Sequence, residues 1–214
     1  MKKYFTIIFF VMSAVANAQR GNSAAQLSHY IFDSFSKGRV LVKSGIMSEQ
    51  TLNYNVLTGE MIYNDAGRLL AIGNPKDVDS IFIGERKFIP VNDKFYEILA
   101  DTKLPLLQEF SYKIEEPTVS VGYGNASPTT NTTSLSSLVT TGAVYDLALP
   151  ADFKVIPVNN YWIKNGEKYE KANTAQQLMK VFPGKKDMIK KLIKANNTSF
   201  SKRADVIRLV QDIQ

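Results

Sequence analysis

The chain holds no cysteine, one histidine and one tryptophan among its 214 residues. Each scarcity removes a class of chemistry. Without cysteine no disulfide forms, so stability has to come from burial. The same absence excludes acylation at a cleavage-site cysteine. One histidine and no cysteine exclude the ordinary zinc sites. That histidine, His29, follows Ser28 at the end of the polar stretch 19–29, a poor setting for a Ser–His dyad. No G-x-S-x-G elbow or S-x-x-K box lies on a suitable element. Gly122-x-Gly124 lacks the third glycine and the helix of a dinucleotide loop. Asp77 and Asp79, and the turn Asn64–Gly67, lack the spacing of a calcium loop. Glu115-Glu116 before Pro117 reads as a solvated strand end. No catalytic, cofactor-binding or metal-ligating residue is assigned, and no cofactor is expected. Carboxylates that only folding would pair are outside what a sequence shows.

What is present begins at the N-terminus. Lys2 and Lys3 precede the apolar run "YFTIIFFVMSAVA", and Ala16-Asn17-Ala18 is an A-x-A cleavage signal. Residues 1–18 are therefore expected to be a signal peptide, with the cut before Gln19. The apolar run is shorter than the roughly 20 residues a spanning helix needs. A mature chain of roughly 195 residues can bury a sizeable core without staples.

From residue 36 onward the pattern is that of short strands. A strand is expected at Arg39–Lys43, bounded by Gly38 and Gly45. In "LNYNVLTGEMIYNDAGRLLA" the residues Leu52, Tyr54 and Val56 share one strand face, and Met61 and Tyr63 answer them after the Thr58-Gly59 turn. Strands Val78–Ile83, Lys87–Val91 and Phe95–Leu99 follow, closed by turns at Gly84-Glu85 and Asn92-Asp93. The stretch from Leu104 to Gly124 holds another long strand or two. Residues 125–142, nearly all Ser, Thr, Asn and small residues, read as a loop. Strand character resumes in "AVYDLALP", and "FKVIPVNNYWIKNGEKYEKA" predicts a hairpin turning at Asn165-Gly166. "FIPVND" and "VIPVNN" echo each other and predict edge strands or strand ends, because proline cannot donate in a central ladder.

At Asn173 the period becomes helical. Thr174 with Gln177 makes a capping box, and Pro183-Gly184 stops the first helix. A second helix over about 185–195 sets Met188, Ile189, Leu192 and Ile193 on one face and Lys186, Lys190, Lys191 and Lys194 outside. Ser201 is positioned to cap a third helix carrying Val206, Leu209, Val210 and Ile213. The expected fold is α+β: an antiparallel β meander, as a sheet, sandwich or partly open barrel, over 19–172, then a basic helical unit of about three helices over 173–214. That unit either packs on the sheet or stands as a satellite.

Charge divides the same way. The formal net charge is +6, and residues 151–214 hold 13 Lys and Arg against 6 Asp and Glu, a net of +7 that leaves −1 for the rest. In an exported chain a cationic tail points to anionic surfaces or acidic partners rather than nucleic acid.

The succession "KGRVLVKSG", "LNYNVLTGEMIY", "VDSIFIGERKFIPV", "GYGNAS", "YWIKNG" and "FPGKKDMIKKLIKANNTSFSKRADVIRLV" resembles a family of exported Bacteroidota proteins without an assigned activity. The likeness runs over nearly all of the mature chain. It implies the periplasm or outer cell surface and lends no catalytic residue. It also implies O-glycosylation at Asp-Ser/Thr motifs before an aliphatic residue, which makes Ser80 in Asp79-Ser80-Ile81 a candidate acceptor.

The expected function is a non-enzymatic binding or interaction module of the cell envelope. Its partner would be an envelope protein, an anionic surface glycan or lipopolysaccharide. Candidate contact residues are Lys186, Lys190, Lys191 and Lys194, with Tyr161 and Trp162 as an aromatic platform for glycan or peptide. The alternatives are an enzyme whose acid and base meet only on folding, and a structural subunit of an envelope assembly.

Overall fold

Turn chemistry sets the strand boundaries. The computed structural model describes residues 29–115 and 154–214; the expected signal peptide (1–18), the Ser/Thr-rich stretch 125–142 and the segment 143–150 lie outside them. The strands are β1 (Ser36–Val42), β2 (Met47–Asn55), β3 (Glu60–Asp65), β4 (Arg68–Ala71), β5 (Val78–Ile83), β6 (Arg86–Val91), β7 (Lys94–Ala100), β8 (Leu106–Glu115), β9 (Lys154–Asn165) and β10 (Lys168–Lys171). Three helices follow: α1 (Ala175–Val181), α2 (Lys186–Ala195) and α3 (Arg203–Ile213). Among the described residues these strands form one antiparallel, unclosed sheet of 10 strands, ordered β10-β9-β8-β7-β6-β5-β1-β2-β3-β4.

The order is two meanders joined at β1. The chain runs outward from β1 to β4, then crosses back through residues 72–77 so that β5 pairs with β1. Gly38 is not the boundary that its type suggested. It lies inside β1, where an added Cβ would come 2.6 Å from the Phe82 carbonyl oxygen on β5 and 2.8 Å from Leu52 Cδ1. The close approach of two strands and a leucine requires a missing side chain there.

The last hairpin turns one residue later than expected. Asn165 still pairs with Lys168, so Gly166 and Glu167 are the two loop residues, with Gly166 at φ +61°. Only the first loop position takes positive φ, which suits a Gly-X turn. The echoed prolines are in interior strands rather than edge strands. Each sits where one neighbour has run out: β5 pairs with β6 only as far as Phe88, short of Pro90, and β10 pairs with β9 only from Trp162, beyond Pro157.

The sheet curls over its own face. The turn between β2 and β3 lies against the start of β7, where Phe95 N donates to Gly59 O at 3.0 Å. Tyr54, fully buried, donates its hydroxyl to Phe95 O at 2.9 Å. Tyr54 stacks on Phe88, ring centres 5.7 Å apart. Leu52, Met61, Ile81, Phe88 and Phe95 fill this curl as one apolar cluster.

The helices cover the same face at the other end of the sheet. Leu178, Ile189, Val206, Leu209, Val210 and Ile213 pack with Ala100, Leu106, Tyr161 and Ile163 of the strands in one cluster. Each fully buried aliphatic or aromatic side chain contributes about 1.5–3 kcal/mol. The helical unit therefore shares a core with the sheet and is not a satellite. Its ends are tied as well: Lys185 Nζ donates to the Ile213 carbonyl at the end of α3, and the Gln214 side chain bonds Leu104 N and Thr102 Oγ1 at 2.7 Å each. Thr174 caps α1 by accepting from Gln177 N at 3.2 Å, while Gln177 reaches back to Asn173 N at 2.8 Å. Ser201 does not cap α3. The helix starts after Lys202 with no side-chain cap, and Asp205 instead accepts from Ser199 N at 3.0 Å.

Candidate functional site

The boundary between the two apolar clusters is polar. Glu97 on β7 is enclosed, its side chain 2% exposed, and both its oxygens are taken by guanidinium groups. Arg86 of β6 donates through Nε at 2.8 Å and Nη2 at 2.7 Å. Arg203, the first residue of α3, donates through Nη1 at 2.7 Å and Nη2 at 2.6 Å. Arg203 Nη1 also reaches Gln108 Oε1 at 3.0 Å, and Gln108 Nε2 donates to Asn159 Oδ1 at 2.8 Å. Arg86 lies over the Phe32 ring at 4.8 Å and the Phe88 ring at 5.4 Å. Burial pushes the Glu97 carboxyl up, but the hydrogen bonds and charges of both arginines outweigh it and hold the group below the usual carboxylate range. A carboxylate with two bidentate partners is a fastener between helix and sheet, with no lone pair directed at a substrate.

Period 2 sends neighbouring strand residues to opposite faces, and this separates Tyr161 from Trp162. Tyr161 is buried beneath the helices with Leu178 and Val210. Trp162 faces the other side of the sheet with Tyr96, Leu107 and Tyr169. The expected two-residue platform is therefore not one surface. The register instead sets Lys87, Ile98, Leu107, Trp162 and Lys171 opposite one another on five successive strands, with Leu107 fully buried among them. A second row holds the pairs Ile89–Tyr96 and Glu109–Asn160. The apolar cluster of this face draws only on β6 to β10, and no described helix joins it.

Glu109 organises that face. It accepts from Trp162 Nε1 at 3.2 Å and pairs with Lys94 Nζ at 3.3 Å. Burial, then the charge of Glu109 and a hydrogen bond to it, push the Tyr96 hydroxyl up to about 12. The Tyr96 and Trp162 rings lie 6.2 Å apart, and Lys171 Nζ sits 5.7 Å from the Trp162 ring centre. Aromatic faces, a carboxylate, an amide and a lysine are thus held on a rigid sheet.

The lysines of α2 are where the helical pattern set them. Lys186, Lys190, Lys191 and Lys194 are all exposed, while Ile189 opposite is buried. Lys190 pairs with Asp187 at 3.6 Å, on the surface. Ser80 is 1% exposed, and its hydroxyl donates to Asp79 at 2.9 Å, so the folded chain does not present it to solvent. His29, Asp77 and Asp79 are not brought into any grouping of three or more His, Asp or Glu that could hold a metal ion, among the described residues. Among the described residues no helix is long and apolar enough to cross a membrane. No family model, curated protein or solved structure matches the chain.

Proposed function

We propose that the protein is an exported, non-enzymatic interaction module of the cell envelope that engages phosphate-bearing anionic surfaces, such as lipopolysaccharide, through α2. The observation that carries this is the exposure of Lys186, Lys190, Lys191 and Lys194 on a helix whose other side is locked into the shared core. The backbone of a fixed helix is already ordered, so binding has to order only the lysine side chains. The N-terminal lysines, apolar run and A-x-A signal support export. The charge split supports an anionic partner, since the net positive charge belongs to residues 151–214.

Crosslinking and affinity capture from native envelopes, in low and high salt, tests the proposal. Capture of lipopolysaccharide that is lost at high salt is expected. Salt-insensitive capture of one protein partner would favour a subunit of an assembly instead. One feature supports that second reading: β4 is a terminal strand, and Ile46 and Met47 at the β1–β2 tip are 67% and 49% exposed.

A further inference from the structure

We infer that the solvent side of the Glu97 cluster is a second binding site, separate from α2, and that it takes a small organic monocarboxylate with an apolar body. Arg203, Asn159 and Tyr161 hold the carboxylate, and Phe110 packs on the body.

Every acceptor in the cluster is taken. Each Glu97 oxygen accepts from Arg86 and from Arg203, Gln108 Oε1 accepts from Arg203, and Asn159 Oδ1 accepts from Gln108. Donors are left over. Arg203 keeps its Nε–H and one Nη2–H, Arg86 keeps its Nη1 hydrogens, and Asn159 keeps its Nδ2 hydrogens, with no partner among the described residues. The Tyr161 hydroxyl is buried and also unpartnered. Arg203 and Asn159 come close enough to oppose the effect of burial on its ionisation, yet Asn159 makes no hydrogen bond of full geometry with it. A buried hydroxyl left this way costs stability until an acceptor meets it.

Charge points to the same ligand. Glu97 is the one acid bonded to either arginine, so the cluster keeps an uncompensated positive charge. The helix end adds to it, because α3 begins at Arg203 with no side-chain cap and Asp205 is engaged by Ser199 N. A single carboxylate neutralises that charge, and its planar oxygens fit a guanidinium edge. A phosphate dianion exceeds it.

The positions are contiguous. Glu97, Gln108 and Tyr161 stand opposite one another on β7, β8 and β9, and Phe110 and Asn159 form a neighbouring pair on the same face. Solvent reaches the rim: the Arg203 side chain is 38% exposed, Asn159 is exposed and Phe110 is half-buried. Tyr161 lies at the inner end, met by a ligand oxygen that enters between Arg203 and Asn159. The Phe110 ring centre is 5.5 Å from the Arg86 guanidinium, so an apolar surface adjoins the charge. Glu97 already fixes both guanidiniums, which leaves little to be ordered on binding.

Isothermal titration of the full mature chain with benzoate tests this. The background carries Lys186→Gln, Lys190→Gln, Lys191→Gln and Lys194→Gln, which removes the α2 cations. Acetate, benzamide and inorganic phosphate are the comparisons. Saturable benzoate binding is expected, weaker with acetate and absent with benzamide. Tyr161→Phe removes a hydrogen bond to a charged group and should weaken benzoate about tenfold to a hundredfold. The same variant should keep or raise the thermal midpoint, because it deletes a hydroxyl that has no partner in the free protein. Asn159→Ala should weaken benzoate as well. A Tyr161→Phe protein with a lowered midpoint and wild-type benzoate affinity would make the hydroxyl a purely structural group and overturn the inference. Absence of benzoate binding would overturn it too. So would phosphate binding that exceeds benzoate and falls with Tyr161→Phe, which would assign the site to another ligand class.

Discussion

Replacing Glu97 by Gln should loosen the joint between α3 and the sheet, and its size follows from exposure. The substitution preserves volume but leaves Arg86 and Arg203 facing a neutral amide. Removing one partner of a fully buried ion pair costs about 3–5 kcal/mol. Here the carboxylate is 2% exposed but the arginine side chains are 26% and 38% exposed, so both guanidiniums can partly rehydrate. The Arg203 share is further reduced by solvent screening, which places the total at about 3 kcal/mol. For a chain of this size that is a fall in Tm of about 6–12 °C. The dependence on pH carries a sign. The folded-state pKa of Glu97 is lowered, so its stabilisation is complete above the unfolded-state value and is lost as pH falls through the folded one. Thermal unfolding followed by circular dichroism should therefore show a large gap between wild type and Glu97→Gln at neutral pH. The gap should begin to narrow as pH falls below about 4 and close only below the lowered folded-state value. An unchanged midpoint, or a gap independent of pH, would refute the argument that this ion cluster fastens the helices.

Three further outcomes test the packing. Removing residues 173–214 uncovers Leu106, Tyr161 and Ile163 and takes Arg203 from Glu97, so the strands should lose cooperative urea unfolding; a sharp transition with the wild-type midpoint would show two independent units. Gly38→Ala places a Cβ against the Phe82 carbonyl and Leu52, and should cost about 1–3 kcal/mol by chemical denaturation. Leu106→Ala, at a fully buried position under the helices, should cost about 2–5 kcal/mol.

Local features were legible in the residue order, and long-range ones were not. Gly84-Glu85 and Asn92-Asp93 are turns because the two-residue loops there require positive φ at the first position, supplied by Gly84 and Asn92. Thr174 and the apolar spacing of α2 and α3 fixed the helices for equally local reasons. The return of β5 to β1 could not be read, because nothing near Val78 distinguishes a neighbour at β4 from one at β1. Nor could the Glu97 cluster, whose partners lie 11 and 106 residues away. The separation of Tyr161 from Trp162 was available in principle. Strand alternation alone sends adjacent residues to opposite faces, and grouping them as one platform set that rule aside. The partners of Trp162, from β7, β8 and β10, became visible only through the register.

The account turns on the cationic side of α2, and lipopolysaccharide binding by the wild type and the four-lysine-to-glutamine protein measures it directly. Vesicles with and without lipopolysaccharide, at low and high salt, give the isotherms. A lysine near an anionic surface contributes about 1 kcal/mol, so the variant should bind on the order of a hundredfold to a thousandfold more weakly at low salt. That difference should vanish at high salt. Equal binding by both proteins at low salt would contradict the account.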